Sequence, residues 1–401
     1  MNILFRPPFG RRAAPRLPLL VAITALGTMA LHMVIPALPA VAHDLHASSG
    51  SIQLSVTLYV LGLAVGQSVY GPLSDRHGRR PLLLIGMTLY VLASVAAAFA
   101  GSVGQLLAAR VFQALGACSG LVLGRAMTRD GSTPDKAAAA MSMLMTAMAV
   151  APALAPPIGG YLAAWLGWRA TFAAIALGGV AVLAIAALTL PETLRHPNPE
   201  ASVLRVLGSY PGLVRLRMFR GYCLGGSCTS TSLYAFFSAS PFILVNVLHR
   251  PTEEVGLYYL VPFCAIGAGS FTSNRLVKRF RSRGLVRFGS TAQLAGAGLL
   301  MAAELSGTLS VVSLMGSMFI ISYGAGIAGP NSAVLALSAD PKAVGAASGF
   351  YGTAQMVYGA LCTVLVSLGP VTSALPTAAV LLGSAVIGQL AFAYGAKGTP
   401  G

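Results

Sequence analysis

Apolar and polar positions alternate along this chain on a long scale: stretches of about twenty or more mostly apolar residues, each enough for a helix across a hydrocarbon layer of about 30 Å, are separated by short polar loops. The runs fall near residues 17–39, 52–73, 81–100, 104–127, 137–164, 169–190, 219–246, 254–275, 285–305, 308–337, 342–369 and 371–394. They predict twelve membrane-spanning helices. Between the sixth and seventh lies the longest polar segment, Pro191 to Arg220, with Pro197, Pro199 and Pro211 among Glu192, Arg195, Glu200, Arg205, Arg215 and Arg217. It divides the chain into an N-terminal six-helix half (1–190), a linker (191–218) and a C-terminal six-helix half (219–401).

Composition sharpens the picture. Of the 401 residues 56% are hydrophobic and 9% charged, where ordinary globular domains carry about a quarter charged residues. A net charge of +16 would suggest a nucleic-acid partner in a soluble domain, but here the cations gather in alternate loops instead of covering one binding face. Lys and Arg are retained on the cytoplasmic side of short loops. With the N-terminus inside, 23 of the 26 fall on that side, from Arg6, Arg11, Arg12 and Arg16 through Arg195 and Lys342 to Lys397. Arg169 and Arg250 fall outside, and Arg110 lies within a run. Both termini are therefore expected in the cytoplasm. Arg11, Arg12 and Arg16 ahead of Leu17 imitate a signal peptide, but the run that follows is too long for one, so an uncleaved first helix is expected. Cys118, Cys223, Cys228, Cys264 and Cys362 lie singly in apolar stretches without metal-ligand spacing, which predicts buried free thiols and neither a disulfide framework nor a metal site.

A shift of 199 residues superposes Tyr59 on Tyr258, Asp75 on Asn274, Arg76 on Arg275, Arg79 on Lys278 and Arg80 on Arg279. Several matches at one offset, all in the second helix of each half and its loop, argue for duplicated halves. The second copy lacks the acid, so an electrostatic lock on this loop is expected in the N-terminal half.

Three motifs carry candidate chemistry. In the turn Gly71-Pro72-Leu73-Ser74-Asp75-Arg76-His77-Gly78-Arg79-Arg80, the glycines let backbones approach and reverse, Asp75 can accept from a helix end, and the arginines can hold the headgroup layer. In the fourth run, Arg110-Val111-Phe112-Gln113-Ala114-Leu115-Gly116-Ala117 puts a guanidinium about 9 Å of helix rise inside the outer face. There it either faces a polar interior, since a mid-helix Arg otherwise costs about 2.5 to 3.5 kcal/mol, or snorkels to the outer headgroups. In the fifth run, Ala151-Pro152-Ala153-Leu154-Ala155-Pro156-Pro157-Ile158-Gly159-Gly160 combines prolines that kink the helix with a glycine face on which a helix of the other half can slide.

These motifs resemble the major facilitator superfamily: the first its helix 2 to helix 3 loop, the second the helix 4 signature of drug and proton antiporters, the third the antiporter motif, with Ala155 where glycine is usual. Arg125-Ala126-Met127-Thr128-Arg129-Asp130, Gly167-Trp168-Arg169, Pro191-Glu192-Thr193 and the Phe236–Phe242 stretch resemble the Bcr/CflA drug-resistance branch. The resemblance implies an all-α integral membrane protein with the major facilitator fold, twelve helices in two pseudo-symmetric halves. It implies a monomeric drug:proton antiporter of the bacterial inner membrane, exporting amphipathic neutral antibiotics of the phenicol type, with the proton as coupling ion and no other cofactor. An exporter of an endogenous metabolite is the alternative; a non-transporting membrane sensor or enzyme is a more distant one, for which no catalytic constellation is visible. Gly71, Asp75, Arg76, Gly78, Arg79 and Asp130 would form a cytoplasmic latch, with Asp75 near the N-terminal end of helix 11.

Leu31-His32-Met33-Val34-Ile35-Pro36-Ala37-Leu38-Pro39 resembles the family's Asp-Met-Tyr-Leu-Pro-Ala-Leu-Pro stretch with the acid replaced by His32. An unperturbed imidazole titrates near pH 6.5, so His32 is expected either to carry the proton or to sit neutral against a backbone carbonyl near Pro36. The expected cavity comprises His32, Met33, Tyr59, Arg110, Gln113, Tyr234, Phe237 and Tyr258, with Tyr234, Phe236, Phe237 and Tyr258 serving as an aromatic wall or as plain packing. No acid falls clearly at mid-membrane, which favours neutral or anionic compounds over cations.

Overall fold

The computed structural model describes residues 16–130, 134–194, 196–341, 343–370 and 372–398. Arg6, Arg11, Arg12, Arg195 and Lys342, assigned above to the cytoplasmic side, lie outside them. Within the described residues every regular element is helical, and eleven helical stretches are long and apolar enough to cross a membrane. One of these, Thr252–Leu305, bends at Arg281, where φ is 52°, and so supplies two spans. The twelve helices are α1 (Leu17–Asp44), α2 (Ser49–His77), α3 (Arg79–Ala98), α4 (Val103–Asp130), α5 (Pro134–Leu166), α6 (Trp168–Thr189), α7 (Arg217–Val247), α8 (252–280), α9 (282–305), α10 (Val311–Leu337), α11 (Val344–Ser367) and α12 (Leu375–Ala396).

Local chemistry explains the breaks. In α1 the regular ladder stops at His32 and a 3-10 turn, Ile35–Ala37, intervenes before Leu38–Asp44. Pro36 and Pro39 lack the N–H groups that a continuous helix would need there. Between α2 and α3 the chain turns on Gly78 at φ 101°. A side chain there would be strained, and its Cβ would also collide with the carboxylate of Glu192. Side chains such as Leu188 (86% exposed) and Val312 (83%) point away from the bundle, where only a hydrocarbon solvent would receive them. Cys264, expected to be buried, is exposed on the same kind of surface; the other four cysteines are buried and free.

The duplication lies in the backbone at a different register from the sequence match. α2 begins at Ser49 and turns at Gly78, whereas α8 begins at Thr252 and turns at Arg281, an offset of 203 for both landmarks (49 to 252 and 78 to 281). The 199-residue match is thus about one helical turn out of phase with the structure. The linker is more than a tether: 203–215 forms an amphipathic helix that packs against α2, α7 and α11.

Candidate functional site

A cavity of about 880 Å³ lies between the halves. Its deep end is formed by His32 of α1, Tyr234 and Phe237 of α7 and Phe263 of α8, and its mouth by Asp75, Arg79 and Arg129 on the face where the basic loops gather, with Tyr210 of the linker helix beside them. Among the described residues Asp75 is the only carboxylate in the lining, and it is already paired with Arg79 at 2.7 Å.

His32 sits at the end of α1's regular ladder, 5% exposed. Its Nδ1 lies 2.8 Å from the Thr28 carbonyl. Because a carbonyl can only accept, Nδ1 carries the hydrogen and Nε2 keeps the free lone pair. The ring stands edge-on to Phe237 and Phe263, at centroid distances of 5.7 and 5.3 Å, and those two rings stack on each other at 5.2 Å. Phe236 and Tyr259 buttress Phe237 from behind.

Of the expected cavity residues, His32, Tyr234 and Phe237 line the space, while Met33, Tyr59, Arg110, Gln113 and Tyr258 do not. Arg110 neither lines the cavity nor reaches an outer surface: it is 1% exposed, lies over the Tyr59 ring at 4.2 Å, and donates through Nη1 to Ala30 O (2.9 Å) and Gln113 Oε1 (2.6 Å). The Ala30 carbonyl is one of the last of α1's regular ladder, and a terminal carbonyl needs an outside donor. Gln113 continues to Ser94 Oγ at 2.8 Å, and Tyr59 OH donates to Gly27 O at 2.7 Å. The result is a buried polar brace joining α1, α2, α3 and α4. Met33 turns its carbonyl to α5. Tyr258 belongs to the opposite face, where its hydroxyl donates to Glu254 Oε2 at 2.8 Å beside Arg250. Its neighbour Tyr259 is the inward residue, bonded to Ser240 Oγ at 2.6 Å. The helix breaks at Tyr259 before continuing from Leu260, so periodicity carried through this point selects the wrong tyrosine.

At the basic face Arg79 is the hub. It pairs with Asp75 and, through Nε, with Asp130 Oδ2 at 3.0 Å, and its Nη1 donates to Ser74 Oγ. Glu192 accepts from the backbone N–H groups of Arg79 and Arg80, both at 3.1 Å, capping the start of α3 where a helix favours an anion. Thr193 Oγ1 donates to Asp130. Asp75 is therefore held by Arg79, and the start of α11 has no side-chain cap; the expected docking of Asp75 there is not seen in this open-mouthed arrangement. Gly71 faces the cavity with open space around it, not a close neighbour, and Arg76 is exposed.

The opposite face is sealed by close contacts within the N-terminal half and across the halves. A Cβ on Gly159 would overlap the Met33 carbonyl, Gly160 lies against Gly256 of α8, and Gly256 in turn fits against the Pro156 carbonyl. Pro152, lower on α5, lines the cavity. Thr57 of α2 and Thr363 of α11 are bonded at 2.7 Å. The cavity is thus open toward the basic face and closed toward the other.

Phe263, Arg125 and Glu192 are site residues that motif reading left without a role. Phe263 follows Tyr259 by one helical turn, a signal that becomes readable only once the inward tyrosine is known.

The family model described as Major Facilitator Superfamily matches residues 20–363. An uncharacterized MFS-type transporter of Bacillus subtilis is 32% identical, over 96% of each chain. A chloramphenicol resistance protein of Pseudomonas aeruginosa is 31% identical, over 89% of this chain and 85% of its own, and multidrug resistance protein D of Escherichia coli is 31% identical, over 88% and 89%. A solved D-xylose-proton symporter shares the fold, with a TM-score of 0.76 at 17% identity over 96% of this chain and 97% of its own. With its all-helical bundle, its central cavity and these relatives, the chain belongs to the major facilitator superfamily, in its drug-resistance branch, and is a multi-pass membrane transporter and not an enzyme.

Proposed function

We infer that this transporter is a monomeric drug:proton antiporter of the bacterial inner membrane, with its basic face and both termini in the cytoplasm. Its substrates are amphipathic, drug-sized antibiotics such as phenicols. The observation that carries this reading is the cavity itself: an apolar, aromatic end suited to flat amphipathic molecules, capped by one imidazole and reached from the basic face. The P. aeruginosa relative's name, chloramphenicol resistance protein, supports the substrate choice.

His32 is the proton carrier in this scheme. Its Nε2 keeps a lone pair that can take a proton, giving charge states of zero and plus one. Alternating access then exchanges drug taken up from the cytoplasm for a proton taken up from outside. In proteoliposomes, chloramphenicol movement should follow an imposed pH gradient and stop when a protonophore collapses it. His32→Gln should flatten the pH profile of export. An unchanged profile in that variant would remove His32 from the mechanism, and gradient-independent movement in the parent would remove antiport.

A further inference from the structure

We propose that the cavity also binds amphipathic organic anions, with Arg125 as the anchor for the acid group and the Phe237–Phe263 stack as the seat for the apolar part. This deepens the exporter reading and rests on it.

Arg125 lies in the cavity wall between its mouth and its deep end. Its Nε donates to the carbonyl of Leu121, one turn earlier, at 2.8 Å. α4 runs from the sealed face to the basic face, so the guanidinium folds back toward the deep end and not out toward the headgroups. Among the described residues no carboxylate pairs with it, whereas nearby Arg79 is fully engaged with Asp75 and Asp130. Held among the described residues through Nε by a carbonyl, the guanidinium has its two terminal NH₂ groups left to present a fork, the geometry that matches a carboxylate.

The distances suit a small ligand. α1 and α4 are antiparallel, and Gly120, beside Leu121, packs on Ile23. His32 is nine residues beyond Ile23, so the guanidinium and the aromatic end are separated by about 13 Å along the helix axes. A bicyclic aromatic acid with a short side arm spans this once its contact distances at both ends are included. The wall between them includes Met148 and Met356, whose flexible thioethers accommodate differing shapes. Cations are disfavoured throughout, because the cavity presents Arg125, Arg129 and Arg79 against Asp75 alone among the described residues.

The test uses three matched probes, 3-(2-naphthyl)propionate, its neutral amide and the corresponding amine, titrated against the full-length protein in nanodiscs. The parent should bind the carboxylate about tenfold more tightly than the amide, and the amine most weakly, as a charge-assisted bidentate pair requires. Arg125→Gln should erase the carboxylate preference while leaving amide affinity unchanged, which also reports that the variant is folded; Arg125→Lys should keep part of it. Equal affinity for carboxylate and amide in the parent, failure of both to bind, or an undiminished preference in Arg125→Gln would overturn the proposal. Chloramphenicol transport in the same preparations separates the two readings: anion preference absent with drug transport intact sinks only this inference, while loss of drug transport in the parent sinks the exporter reading.

Discussion

At the sealed end of the cavity the two halves meet through backbone, glycine and threonine; at the basic end the paired charges around Arg79 form a cluster whose members among the described residues all belong to one half. Gly159 against Met33, Gly160 against Gly256 and Thr57 against Thr363 draw α1, α5, α8, α2 and α11 together, and two of those three contacts cross between the halves. Arg79, Asp75, Asp130, Glu192 and Thr193 all lie within the first six helices and their immediate exit. Charge does not close this protein in its present state. Close apolar packing does, because a seal between helices in hydrocarbon depends on how nearly backbones approach. The ionic cluster instead sets the α2–α3 turn and the end of α4, so that they present one surface when the mouth closes.

The largest expected effect comes from attacking the seal. Gly159→Val places side-chain atoms where the Met33 carbonyl sits, an overpacking that costs about 1 to 3 kcal/mol. Export should be abolished, and cysteine probes near Thr57 should become reactive from the sealed side. Wild-type export with an unreactive seal would show that α1 and α5 have slack.

Next is the brace behind the seal. Arg110→Ala strands the Ala30 carbonyl and Gln113 Oε1, each at about 1 to 3 kcal/mol. Export should be lost, with Arg110→Lys restoring only part because the planar fork is gone. Undiminished export by the alanine variant at equal expression would mean that the brace is dispensable.

A smaller effect is expected from the ionic cluster. Asp75 is 44% exposed, and a pair of that kind contributes at most about 1 kcal/mol. Asp75→Asn should therefore slow export by no more than about fivefold and leave drug affinity unchanged. A complete loss would mean that the cluster joins the halves in another state more strongly than its present geometry indicates.

The smallest concerns the second copy of the turn. Arg281 occupies, at φ 52°, the place that Gly78 fills in the first half. Arg281→Gly should relieve left-handed strain of about 1 kcal/mol and raise the unfolding midpoint in detergent by about 1 to 2 °C. A lowered midpoint would indicate that the arginine side chain contributes more than its backbone costs.

Much of this architecture was legible beforehand, for reasons that differ from residue to residue. The spans followed from length and hydropathy. The α1 break lies at Pro36 and Pro39, inside a run read as one span, and the α5 contact surface follows from Gly159 and Gly160, because proline and glycine act on the backbone wherever they stand. His32 was singled out as a departure from a motif and does face the cavity. The insertion cost of Arg110 requires polar partners, but only packing makes those partners carbonyl and amide oxygens in a brace beside the cavity. Glu192 lay in a recognised triplet, but its role depends on the turn at Gly78 bringing the start of α3 to it across more than a hundred residues.

By itself, then, the sequence determined the number and approximate length of the spans, the loops in which cations gather, and the places where proline and glycine act on the backbone, all of which depend on local composition. Only the tertiary structure decided which side of each helix meets the cavity. Lipid and protein core are both apolar, so hydropathy cannot separate a lipid-facing side chain from a buried one: Tyr258 and Tyr259, or Cys264 and Cys118, differ in surroundings and not in pattern. The distinction arises when helices pack, because packing alone gives each apolar face either a neighbour or the bilayer.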